Sequence, residues 1–213
     1  ATQHLAQTGV AYGGHMAAAM ALMESPAIIL AVLLANRARR LERGAAQATA
    51  SPSIGGLLHE SLTEGAQVIL LGSLLIGLIA GPGGEAVMKP FVGDLFKGML
   101  AFFLLDMGLR VARNAGQLRG QSPWLPGYAV LAPLVHALVA LGLARALGLS
   151  QGDATLLMVL AASASYIAVP AVVSHAIPEA RPSLYFGMSL GVTFPLNILL
   201  GIPFYARLAA RVL

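Results

Sequence analysis

Residues 154–174 read ATLLMVLAASASYIAVPAVVS, twenty-one residues without a charge. That length is enough to cross a bilayer as a helix. Its centre is Ser163-Ala164-Ser165-Tyr166, and Pro170 follows. Proline has no N–H, and its ring clashes with the carbonyl four residues back, here that of Tyr166. Two hydroxyls, a phenol and an unpaired carbonyl therefore gather at mid-membrane depth. Unpaired backbone there is costly unless protein, water or an ion meets it. Many secondary transporters build their substrate site on a helix interrupted in this way. The competing reading is a plain proline kink, with the serines bonded back to their own helix.

Composition widens the context. The chain has 213 residues, 57% of them hydrophobic and 10% charged. A soluble domain carries roughly 25% charge, so this is an integral membrane protein, read as one bundle. There is no cysteine, hence no disulfide framework and no Cys-based metal site. The net charge of +4 belongs to the loops of a membrane protein rather than to nucleic-acid binding. No signal peptide is visible.

Six helical spans are expected. Tyr12 to Asn36 is the first and contains Glu24 beside Ser25-Pro26. An intramembrane acid costs on the order of 2.5–3.5 kcal/mol on insertion scales and by default suggests function. Arg37, Arg39, Arg40 and Arg43 follow as a cytoplasmic basic cluster. Residues 44–63 are small, polar and punctuated by glycine and proline, and read as a cytosolic linker. Gly65 to Ala80 is the second span, expected to stop at Gly81-Pro82-Gly83-Gly84. Leu95 to Val111 is the third and holds Asp106. Asp106 either pairs with Arg110 at i, i+4 or faces the bundle interior. Gly127 to Leu147 is the fourth. Its His136 reads as a packed, bonded side chain rather than a ligand. Residues 154–174 are the fifth span. Ser183 to Leu208 is the sixth, with Thr193-Phe194-Pro195-Leu196-Asn197 inside it.

The positive-inside rule places the linker in the cytoplasm. An internal echo adds to this. Superposing Pro26 on Pro195, a shift of 169, lays Glu24-Ser25-Pro26 on Thr193-Phe194-Pro195, each followed by an Ile/Leu run. Spans one and six run in opposite directions, which makes an inverted repeat of five plus five. The fold class read here is an all-α integral membrane bundle with a broken helix. Residues 1–43 are the last helix of the first repeat, and 64–213 are the second five-helix repeat. The same shift puts the counterpart of Ser163 before residue 1. The chain is therefore expected to be N-terminally incomplete, with about six helices present.

The runs YGGHMAAAMALMESPAI, LLDMGLRVA, ASASYIAVPA and PSLYFGMSLGVTFPLNILLGIP resemble the sodium-dependent bicarbonate transporter family of permeases. The resemblance covers nearly the whole chain from Gly9 on. It implies ten helices in two inverted halves and sodium-coupled uptake of bicarbonate at crossing broken helices. It also implies a homotrimer in the inner (plasma) membrane and control by a PII-like cytosolic protein. An acid follows the serine run in the bicarbonate carriers of that family. Here Tyr166 stands in its place, which implies another branch and leaves the substrate open.

Residue chemistry fits a small anion. The half-helix starting near Ser165 presents the N–H groups of Ser165, Tyr166 and Ile167, beside Ser163, Ala164 and two hydroxyls. Unpaired N–H groups and the helix dipole attract anions. Sodium, as coupling ion, takes oxygen ligands, for which Glu24, Asp106, Thr193 and Asn197 are the candidates. No other cofactor or metal is expected. The alternatives are a transporter of the same fold for another small anion, proton-coupled through Glu24 or Asp106, and a non-transporting membrane sensor. An enzyme is disfavoured. The five histidines are scattered, and no nucleophile–His–acid set recurs.

Overall fold

The computed structural model describes residues 1–43, 55, 59, 63, 65–114, 122–165, 177 and 179–213. Among them the secondary structure is helical throughout, with no strand. Two compact units are present. The first comprises Ala1–Ala17, Leu104–Ala164 and Ser183–Leu213, and the second comprises Ala18–Phe103 and Ser165–Pro182.

The first unit is built on a helical hairpin. Helix α1 (Thr2–Gln7) ends at Gly9, whose φ is 69°. Val10 N–H reaches back to the Leu5 carbonyl and Gly9 N–H to that of Ala6, a Schellman closure that needs the left-handed glycine. The first turn of α2 (His15–Arg43) follows. Helix α5 (Trp124–Ala146) closes in the same way at Gly148, φ 64°, with Leu149 bonded to Ala144 and Gly148 to Arg145. Two residues later Ser150 caps α6 (Gln151–Ala162). A left-handed glycine beside an N-cap serine thus turns α5 back into α6 within four residues, 147–150.

Small residues let these helices approach. Ala137, Ala140, Leu141 and Ala144 of α5 meet Ala154, Met158 and Ala162 of α6 in one buried cluster. The last helical run seals it. That run comprises α7 (Pro182–Met188), a π-helical stretch Ser189–Thr193, α8 (Phe194–Leu196), a second π-helical stretch Asn197–Gly201, and α9 (Ile202–Val212). Tyr205 and Ala209 of α9 complete the cluster. Alanines at i, i+3 and i+7, with Leu141 between them, give close backbone packing where lipid supplies no hydrophobic drive. His136 differs from its expectation: it lies on the exposed side of α5, away from this seam.

The second unit holds most of α2, then α3 (Gly65–Lys89), the π-helical stretch Pro90–Leu95 and the start of α4 (Phe96–Asn114). The glycine run does not end the second span as expected. Gly81, at φ 58° and ψ −156°, breaks the helix for one residue, and the chain resumes helical geometry with Pro82 in its first turn. Proline's fixed φ and missing N–H suit that position. Leu78 and Ile79 are exposed at 81% and 78%, and Phe102 at 74%. Among the described residues three helical stretches are long and apolar enough to cross a membrane: Leu71–Asp106, Trp124–Ala146 and Leu184–Val212. The second and third expected spans fall together in the first of these, because neither Gly81 nor Pro90 starts a loop.

Candidate functional site

Helix α6 has twelve residues. At 1.5 Å per residue it is about 18 Å long, roughly half of a hydrocarbon core. It stops at Ala162, and Ser163 is extended, with φ −76° and ψ 155°. The last carbonyls of a helix have no intrahelical donor. Side chains supply donors here. Ser163 Oγ sits 3.0 Å from the Val159 carbonyl oxygen and 2.7 Å from that of Leu160. Asn197 Nδ2 donates to the Ala162 carbonyl at 2.6 Å.

A second orphan lies in α5. Pro133 removes the N–H that would serve the Ala129 carbonyl four residues back. Thr193 Oγ1 donates to that oxygen at 2.8 Å. Thr193 and Asn197 are four residues apart on the last helical run, both buried, at 4% and 7% exposure. One face of that run thus serves two carbonyls that proline and a helix end have left open. Asn197 Oδ1 in turn accepts the Tyr205 hydroxyl at 3.0 Å.

The opposite end of α6 is also fixed. Ser150 accepts the Asp153 N–H at 3.2 Å, and its hydroxyl donates to Asp153 Oδ2 at 2.8 Å. Asp153 Oδ1 accepts the Gly13 N–H at 2.6 Å, and His15 Nε2 lies 3.8 Å from Oδ2. Gly152 permits this contact, since a Cβ there would overlap the Ala11 carbonyl. Burial by itself pushes the Asp153 carboxyl up. The Gly13 N–H, the Ser150 hydroxyl and His15 outweigh it and hold the group below the ordinary carboxylate value. Its charge also suits a helix N-terminus.

The structure therefore places Ser163, Ala164, Thr193 and Asn197 in one unit, with Asn197 on the end of α6 and Thr193 on α5. Asp106 is in the same unit on α4, and its side chain is exposed. Ser165 is exposed and belongs to the second unit. Tyr166 and Ile167 lie outside the described residues. Glu24 sits in α2 directly before Ser25-Pro26, and its side chain is outside the described set. No cluster of three or more His, Asp or Glu that could hold a metal occurs among the described residues.

The sequence reading passes over Asp153, Gly13 and Tyr205. The Ser150-x-x-Asp153 spacing resembles a capping box and is a local signal for Asp153. Tyr205 has no such signal, because its partner is defined only by packing. No curated protein matches the chain. One family model does, over residues 1–210, nearly the full length and through every element described above. The chain belongs to the Na+-dependent bicarbonate transporter superfamily.

Proposed function

We propose that this protein is a secondary transporter that takes up bicarbonate, or a similar small anion, together with sodium. Membership of the family supports transport across a membrane. The observation that carries the reading further is the end of α6 at Ala162–Ser163, a helix terminus held by the buried Asn197 amide instead of continuing through its apolar stretch. Transporters that use discontinuous helices present the two kinds of helix end to substrate and ion. A C-terminal end carries partial negative charge and suits a cation, and an N-terminal end suits an anion.

In this reading the anion meets the N–H groups of Ser165, Tyr166 and Ile167, with Ser163, Ala164 and the two serine hydroxyls beside them. For sodium, the first unit offers Asp106 and the lone pairs of the Thr193 hydroxyl, and α2 offers Glu24 as a separate candidate. Asn197, whose amide bonds Ala162 and Tyr205, is set apart from these ligands. Bicarbonate as substrate, sodium as coupling ion, residence in the inner membrane, a homotrimer and a PII-like cytosolic regulator all belong to this proposal.

Uptake of labelled bicarbonate into vesicles carrying the native gene product tests it. Accumulation is expected with an inward sodium gradient and not with potassium in its place. Accumulation driven by a proton gradient without sodium would replace the sodium-coupled reading with a proton-coupled one.

A further inference from the structure

We infer that Asn197 is a positioning residue: it fixes where α6 ends, and so where Ser163 and Ala164 lie, and does not ligate the coupling ion. The inference rests on the transport reading only for its uptake measurements.

Each end of the Asn197 amide has a partner. Nδ2 donates to the Ala162 carbonyl at 2.6 Å, and Oδ1 accepts the Tyr205 hydroxyl at 3.0 Å. Turning the amide over would set Oδ1 against the Ala162 oxygen, two acceptors facing each other. Tyr205 is 1% exposed. Gly201, between the two, leaves room for the contact: a Cβ there would lie 2.7 Å from Asn197 Oδ1 and 3.0 Å from the Tyr205 ring. Asn197, Gly201 and Tyr205 thus form one stripe at i, i+4 and i+8. Residues 197–201 are π-helical, a local geometry that often marks functional positions. The Ala162 carbonyl is the last of α6, and the chain turns extended at the next residue. A donor held there sets the point of departure. A ligand role for Oδ1 would have to use its second lone pair, beside the Tyr205 hydroxyl that it already accepts.

Asn197→Asp separates the two roles by the sign of a pH dependence. A protonated carboxyl has the amide's shape, with an O–H for Ala162 and an oxygen for Tyr205. An ionised one has only acceptors and repels the Ala162 carbonyl. As a sodium ligand the ionised form would bind at least as well as the amide. Tyr205 is the titratable group bonded to this position, and Asp153 stands at the opposite end of α6.

The chain has no cysteine, so Ala164→Cys gives a single reporter beside the break. Maleimide labelling of Ala164→Cys is compared with and without Asn197→Asp, at about pH 5 and about pH 8. Taking the ratio to the Ala164→Cys parent at each pH cancels the ionisation of the thiol. We expect a ratio near one at the lower pH, rising about fivefold or more at the higher pH as the clamp is lost. Sodium half-saturation of uptake by Asn197→Asp alone, at the lower pH, should stay within about twofold of the unsubstituted protein. Tighter sodium binding at the higher pH with an unchanged labelling ratio would overturn the inference in favour of a ligand. A labelling ratio near one at both pH values would overturn it outright. Should Asn197→Asp fail to assemble, Tyr205→Phe keeps the amide donor but loosens its orientation. Labelling should then rise about twofold or more, and no change would overturn the inference. Absence of sodium-dependent uptake by the unsubstituted protein would refute the transport reading alone, since labelling needs no substrate.

Discussion

Thr193 Oγ1 lies 2.8 Å from the carbonyl oxygen of Ala129, the group that Pro133 deprives of its helical donor. A proline in α5 and a threonine 60 residues later are thus two parts of one local solution. The proline opens the backbone, and the hydroxyl closes it. The same arrangement recurs one turn along the last helical run, where Asn197 serves the end of α6.

This relationship predicts a coupling. Thr193→Val keeps shape and removes the donor, leaving a buried carbonyl unpaired, a cost of about 1–3 kcal/mol. Pro133→Ala restores an N–H to Ala129. In that background the cost of Thr193→Val should shrink by about 1 kcal/mol or more. Thermal unfolding of the four proteins in one detergent measures the cycle. Equal costs in both backgrounds would show that the Thr193 hydroxyl does not stand in for the donor that Pro133 removes.

Ser163 has a single hydroxyl proton, and it is already directed at the carbonyls of Val159 and Leu160. Binding an anion through it means giving up those contacts, so the net gain is less than that of a free hydroxyl. Ser163→Ala should weaken apparent anion affinity by about fivefold, roughly 1 kcal/mol, with normal expression. Unchanged uptake would leave Ser163 as a helix cap alone.

Asp153 predicts a pH dependence. Its folded value is lowered, so the stability it contributes is present above the ordinary carboxylate range and is lost as pH falls through the folded value. Asp153→Asn should therefore be less stable than the parent at neutral pH, with the difference narrowing in acid. Melting curves at neutral and acidic pH read this directly. A difference that widens in acid would reverse the assigned sign.

Gly152 and Gly142 should respond oppositely to alanine. A Cβ at Gly152 would overlap the Ala11 carbonyl, whereas nothing lies within 4 Å of one at Gly142 in the middle of α5. Gly152→Ala should cost about 1–3 kcal/mol as the N-terminal segment is pushed away. Gly142→Ala should be neutral or stabilising by up to about 1 kcal/mol. The pair is measured by thermal unfolding, and similar melting points for both variants would refute the close approach of Ala11 to α6.

The all-helical membrane class was legible in the sequence because it depends on local quantities: apolar runs, charge placement and the geometry that glycine and proline impose on their neighbours. The non-helical backbone at Ser163, where α6 ends, was legible for the same reason, as were Thr193 and Asn197 as unusual polar residues within an apolar span. What those two residues do was not legible. Their partners, Ala129 and Ala162, lie 64 and 35 residues away. Both are alanines whose side chains signal nothing. An orphaned carbonyl is invisible in a one-letter string, because every residue has a carbonyl and only packing decides which donor can reach it. Tyr205 reads as one more aromatic until Gly201 lets it touch Asn197. Gly81 reads as a stop, yet the helix resumes after one left-handed residue because Pro82 is already set for a first turn. Local sequence determined where the backbone is opened; the tertiary structure decided which side chains close it, since hydrogen bonds between helices depend on register and distance that no single segment contains.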